Sequence, residues 1–203
     1  RYVQANLYKA QALTEMGNKS GALELYRKVL TLDPANTTAK SEILSVMQDA
    51  MSPSEFIAYL TKNAGNDKNM QNMLYDYAYK LHKENKIQEA ISAYNGVIAN
   101  NPSNVDAYVN LAICYASIND YKNSQSILQT AKSKFPSNTL VLKTLKEVQG
   151  DYSSQILADA GSKYESKDFK NALKLYLEVS PATENSLLGA AACCQELKDL
   201  NKA

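Results

Sequence analysis

Two alanines and two prolines constrain this chain more than any other feature. Ala22 and Ala90 lie 68 residues apart, as do Pro34 and Pro102, and 68 is twice 34. A chain that returns its small residues and its helix breakers at that period is an array of similar units, each unable to bury its apolar face alone. The best-kept copy is Val105 to Asn138. In it Tyr108, Leu111, Ala112 and Tyr115 recur at three and four residues, so they line one face of a helix. Ala112 is small and lets a second helix approach. Asn119-Asp120-Tyr121 supplies a turn whose polar pair caps that helix, Ser124, Leu128 and Ala131 form its facing stripe, and Pro136 stops it.

The other units follow by offset. Residues 3–36 carry Ala10, Leu13, Gly17, Ala22, Tyr26, Val29 and Pro34 in place, with Asn6 and Lys9 where large apolar residues belong. Residues 37–70 have the length of one period but almost none of its pattern, which predicts a degenerate helix pair. Ile43, Leu44, Val46 and Met47 stripe its first helix. Its second opens at the capping box Ser52-Pro53-Ser54-Glu55, carries Phe56, Ile57 and Leu60, and stops at 63–67. Residues 71–104 return to pattern, with Gly96 inside the second helix, where it costs about 1 kcal/mol relative to Ala unless a close helix contact needs it. Beyond 138 the phase slips: Ala90 to Ala172 is 82 residues, two periods plus 14. Residues 139–152 are therefore an extra helix, or the front half of one long helix running through Gly150-Asp151-Tyr152. Residues 153–183 form the fifth motif-bearing unit. Residues 184–203 give the first helix of a sixth, with Lys198-Asp199-Leu200 opening its second. The whole, 1–203, reads as a single array. Beginning at Arg1 and ending on a half-unit, the chain is expected to be a piece of a longer one, or one that has lost a leader.

Spacing and residue types from Tyr108 through Leu111-Ala112, Tyr115, Ser124 and Leu128 to Pro136 resemble the tetratricopeptide repeat, a helix-turn-helix unit of this length. The resemblance implies an all-α fold, a right-handed α-α superhelix or solenoid of about five helix pairs. It also implies a non-catalytic protein-interaction scaffold whose first helices line a groove for a partner peptide or helix. By the same resemblance the groove-facing positions are Gln4, Leu7 and Gln11, then Thr38, Ser41 and Ser45, then Asn72, Tyr75 and Tyr79, then Asp106, Val109 and Ile113. Of these, Gln11, Asn72, Tyr75, Tyr79, Asp106, Val109 and Ile113, with Asn110, are the expected contacts. Tyr75, Tyr79, Val109 and Ile113 fall outside the packing slots, so the repeat itself does not explain their apolar character. The alternative is that some fill space between helices. If the extra helix folds back over Val109 and Ile113, the site moves to Tyr75 and Tyr79. The carboxylate clamp of the family's chaperone adaptors is absent: Asn110 matches its middle Asn, but Leu7, Tyr75 and Asp106 stand where cations are needed.

The formal charge is +1 with acids and bases interleaved, which argues against nucleic acid and against a basic membrane-binding face. No run of apolar residues is long enough to insert in a membrane. No cofactor or metal is expected: phosphate loops, His-rich spacings and nucleophile elbows are all missing. His82, the only histidine, reads as a solvated helix-end residue. Cys114, Cys193 and Cys194 read as unpaired, core-facing or near-core residues, consistent with a reducing compartment. Asn18-Lys19-Ser20 and Asn36-Thr37-Thr38 are glycosylation sequons short enough to arise by chance. Self-assembly into a homo-oligomer, or service as a substrate-selecting accessory of a larger enzyme, are the alternative functions.

Overall fold

The computed structural model describes residues 2–200. They form eleven helices and no strand: α1 (Val3–Glu15), α2 (Lys19–Leu32), α3 (Thr37–Ala50), α4 (Pro53–Ala64), α5 (Lys68–Lys83), α6 (Ile87–Asn100), α7 (Val105–Ser117), α8 (Tyr121–Lys134), α9 (Thr139–Glu165), α10 (Phe169–Glu178) and α11 (Glu184–Leu200). The fold is an all-α helical-repeat solenoid. It divides into two compact units, Arg1–Pro102 and Ser103–Ala203.

The helices begin where the chain offers a side-chain acceptor to their free N–H groups. Asn18, Asn36, Asp67, Asn104, Asp120, Asn138 and Asp168 each accept a backbone N–H two or three residues ahead. Ser52 and Glu55 form the full reciprocal box at α4, with Pro53 at its first position. Both sequon asparagines are caps: Asn18 takes Gly21 N–H at 3.1 Å and Asn36 takes Ala39 N–H at 2.9 Å. Four corners between paired helices turn on a left-handed residue, Gly17, Asn85, Asn119 or Lys167, with φ of 75°, 59°, 60° and 61°.

In the first unit α1 packs along α2, and α5 along α6. The degenerate pair behaves differently. α3 packs on α2, α4 packs on α5 and α6, and α3 meets α4 only sparsely. The cause is the joint between them. Pro53 pushes its predecessor into extended backbone, and Met51 and Ser52 both take it, with ψ near 155°, so no left-handed corner folds the pair shut. The apolar stripes are nonetheless buried: Ile43, Leu44, Val46 and Met47 of α3, and Phe56, Ile57 and Leu60 of α4. At Gly96 α6 comes so close to α4 that a Cβ would overlap Thr61 Oγ1, which is why a helix interior tolerates glycine here.

In the second unit α7 and α8 are drawn together by Ser124, whose hydroxyl donates to the Ala112 carbonyl at 2.7 Å in the buried seam. α9 is one helix of 27 residues through Gly150, so the continuous form of the slipped segment is the one adopted. Its first half sets Leu145 and Val148 against Ala112 and Leu128. Its second half packs on α10, where the Tyr164 and Phe169 rings lie 5.2 Å apart. Midway, Tyr152 stacks on Tyr121 at 5.6 Å and its hydroxyl donates to Glu178 Oε1 at 2.9 Å. One helix thus serves as the extra helix and as the first helix of the fifth unit, which accounts for the slip.

Lys198-Asp199-Leu200 departs from the expected turn: it is helical, the last turn of α11. A left-handed Lys costs about 1–2 kcal/mol. At Lys167 the packing of α10 on α9 and α11 offsets that cost, while the second helix expected after Lys198-Asp199-Leu200 lies outside the described residues.

Candidate functional site

The expected contacts sit on the first helices of their pairs, and the two units present them separately. In the first unit Gln11 on α1 is half-buried. On α5, Asn72 is exposed, Tyr75 half-buried and Tyr79 44% exposed. Their spacing of three and four residues sets all three on one face. Tyr75 rests edge-on against the buried ring of Tyr94, centroids 6.0 Å apart, and Lys83 Nζ stands 5.4 Å from the Tyr79 centroid. Tyr75 is thereby braced on the core, and the Tyr79 ring lies within cation–π reach of Lys83.

In the second unit Asn104 caps α7 through Ala107 N–H at 3.0 Å, and the helix then presents Asp106, Val109, Asn110 and Ile113. Asp106 is exposed, Asn110 half-buried and Ile113 38% exposed, while Val109 is only 4% exposed. The front of α9 reaches α7 through Ala112 and Ala116 and leaves Ile113 open. Ile113 is thus the exposed apolar side chain among these four, and Val109 is buried.

Three side chains differ from their sequence reading. His82 is half-buried, its ring edge-on to Tyr94 at 6.3 Å, and burial followed by the neighbouring Lys83 charge pushes its pKa down. It is a packing residue, not a solvated one. Cys194 is exposed although Cys193 is buried against Phe169 and Ala172. Adjacent helix positions point about 100° apart, so only one of the two can face α10. Val109 is the third, more buried than a contact position requires.

The groove-facing positions Thr38, Ser41 and Asn72 border a space in the first unit whose apolar wall was not singled out from sequence. Between α3 and the α4–α5 pair is a cavity of about 650 Å³, walled by Leu30, Leu44, Tyr59, Met70 and Met73 among others. A neighbouring cavity of about 390 Å³ continues along α5, past Asn72 to Asp76 and Lys80. Both touch Asn69 and Met73. The available signal was that Tyr59, Met70 and Met73 are apolar yet fall outside the packing stripes of α4 and α5.

Among the described residues no group of three His, Cys, Asp or Glu side chains could hold a metal ion, and no helix is long and apolar enough to cross a membrane. The arrangement offers apolar and aromatic patches beside amides and isolated charges, which suits binding of polypeptide.

Among solved structures the chain is similar to a putative protein binding protein from Bacteroides ovatus ATCC 8483, at 16% identity over 98% of this chain and 95% of that one, with a TM-score of 0.45. It is similar to MamA at 18% identity, covering 96% and 97%, TM-score 0.41. It is similar to YrrB, described as a TPR protein with an unusual peptide-binding site, at 20% identity, covering 70% and 90%, TM-score 0.38. No curated protein matches. Two family models described as Tetratricopeptide repeat match residues 3–36 and 81–147. The period, the left-handed corners and these matches agree, and the chain carries tetratricopeptide repeats over residues 3–36 and 81–147.

Proposed function

We propose that the chain is a non-catalytic protein-interaction scaffold that holds a partner's peptide or helix on the faces of its first helices. The observation that carries this is the exposure of Tyr79 and Ile113, large apolar side chains at positions the repeat does not use for its own packing. Each sits on a helix face with hydrogen-bonding side chains close by, Asn72 on α5, and Asp106 and Asn110 on α7. Aromatic or aliphatic anchors ringed by polar groups are the usual carriers of binding energy at such surfaces. Gln11 extends the polar part of the α1 face.

The test is a peptide selected from a randomised library against the whole chain. Tyr79→Ala or Ile113→Ala should weaken its binding about fivefold to tenfold, the effect of losing an anchor worth 1 kcal/mol or more, with the helical circular dichroism unchanged. Affinity unchanged in both variants would refute the reading.

Self-assembly is the second reading, favoured by a different observation. Leu187 and Leu188 on α11 are 59% and 62% exposed, and Tyr8 on α1 and Met16 just past its end are also open. Light scattering that rises in apparent mass with concentration, and falls back in Leu187→Ser, would support it. A constant monomer mass would exclude it.

A further inference from the structure

The open joint between α3 and α4 creates a space that a closed helix pair would fill. Four other corners are folded by a left-handed residue, and this one is extended at Met51 and Ser52. As a result Tyr59, Met70 and Met73, half-buried apolar side chains, face a cavity of about 650 Å³ instead of α3. That volume is in the range of ligand sites, and methionine walls adapt to the shape of what enters.

The space has direction. The N-terminal part of α3, Thr38 to Leu44, lines the same cavity as Asn69 to Met73, and Gln48 lines the next one with Asp76 and Lys80. The trough therefore follows α5 from its first turn toward its fourth. Its ends differ in charge. Lys40 stands at the start and Asp76 further on, both exposed, and no ion pair or hydrogen bond engages either side chain among the described residues. The other charges are occupied: Asp67 accepts the N–H groups of Asn69 and Met70, and Lys80 pairs with Glu84 at 4.0 Å. Lys40 lies eight residues before Gln48 on α3, and Gln48 lines the same cavity as Asp76, so the free cation and free anion are separated by roughly 12 Å along the helix, at 1.5 Å per residue. An extended chain covers that in three or four residues.

We propose that this cleft is a binding site for a linear peptide segment in which a bulky apolar residue lies between an acidic and a basic one, three to four residues apart. The apolar side chain enters between α3 and α4 against Tyr59, Met70 and Met73. The acidic residue pairs with Lys40, the basic one with Asp76, and Asn69 bonds the peptide backbone. This rests on the scaffold reading above, and extends it from the groove-facing Thr38 and Ser41 into the space that opens between α3 and α4.

The test uses the whole chain labelled with ¹³C-methyl methionine. Its five methionines give separate probes, with Met16 remote and exposed. The ligand is the acetylated, amidated heptapeptide GEAFAKG. It should shift the Met70 and Met73 methyls and leave Met16 in place. Serine in place of its phenylalanine should weaken binding about tenfold, and the charge-reversed GKAFAEG about fivefold. With Lys40→Glu and Asp76→Lys together, both on the surface, the preference between the two charge orders should invert. Unmoved Met70 and Met73 methyls, with a library-selected peptide still sensitive to Tyr79→Ala or Ile113→Ala, would overturn the cleft and leave the scaffold reading standing. If no peptide binds at all, both fall. Displacement of the heptapeptide by laurate with equal effect on the two methyls and no dependence on Lys40 or Asp76 would assign the cleft to acyl chains and overturn the peptide.

Discussion

Gly96→Ala separates tertiary contact from intrinsic helix preference. In an open helix interior the change is favourable by about 1 kcal/mol. Gly150 in α9 is such a place: a Cβ there meets nothing within 4 Å. At Gly96 the same Cβ would overlap Thr61 Oγ1 and stand 3.3 Å from both Thr61 Cβ and Leu74 Cδ2. Thr61 is β-branched and stiff at χ1, so it yields poorly. The helices cannot simply part, because Asn100 Nδ2 donates to the carbonyls of Thr61 and Gly96, each at 3.0 Å. Overpacking of this kind costs about 1–3 kcal/mol. Set against the propensity gain, Gly96→Ala is expected to lose roughly 1 kcal/mol and Gly150→Ala to gain up to that much. In a chain of this size that is about 2–4 °C in Tm, down for one and up for the other, read by thermal circular dichroism. Adding Thr61→Ala opens the space the new methyl needs, so the double variant should be more stable than the sum of the singles by about 1–2 kcal/mol. A rise in Tm for Gly96→Ala alone, or additivity in the double variant, would refute the close-approach argument.

The remaining expectations concern single side chains. Leu111→Ala, at a fully buried position, should lose about 2–5 kcal/mol, whereas Tyr79→Ala should leave stability nearly unchanged; equal losses would place Tyr79 in the core. One thiol should react quickly with a disulfide reagent in the native chain and three after denaturation. Cys194 is exposed, while burial holds the Cys114 thiol up to about 11 and also raises that of Cys193, so fast labelling of two or three would contradict the packing. Because burial lowers the His82 pKa, the folded state disfavours its protonated form. Stability should be full above the unfolded histidine value of about 6.5 and decline as pH falls below it, and His82→Gln should flatten that step; an unchanged profile would show that the ring is solvated.

The helix pairs were legible because their rules are local. The caps at Ser52 and Asp120, and the small residues Ala112 and Ser124, act within one or two turns, and sequence spacing records such contacts directly. Gly96 was readable as a close contact, but not its partner, since Thr61 lies 35 residues earlier and no motif links the two. The opening between α3 and α4 was written in Pro53, whose effect on the preceding backbone is general, while the loss of pair packing that follows depends on how α4 finds α5 and α6. His82 and Cys194 were misjudged for one reason: their class depends on which side of a helix faces a neighbour, and a shift of about 100° per residue decides it. The contact faces of α5 and α7 were named from resemblance, and the depth of Val109 emerged only from the packed chain.

The most direct measurement is backbone chemical-shift mapping of the whole chain with a library-selected peptide. Perturbations gathered at Asn72, Tyr75 and Tyr79 on α5, and at Asp106, Asn110 and Ile113 on α7, are the result expected of a scaffold that binds through its first helices. Perturbations confined to the outer faces of α2, α6 and α8, with those six residues unmoved, would contradict it.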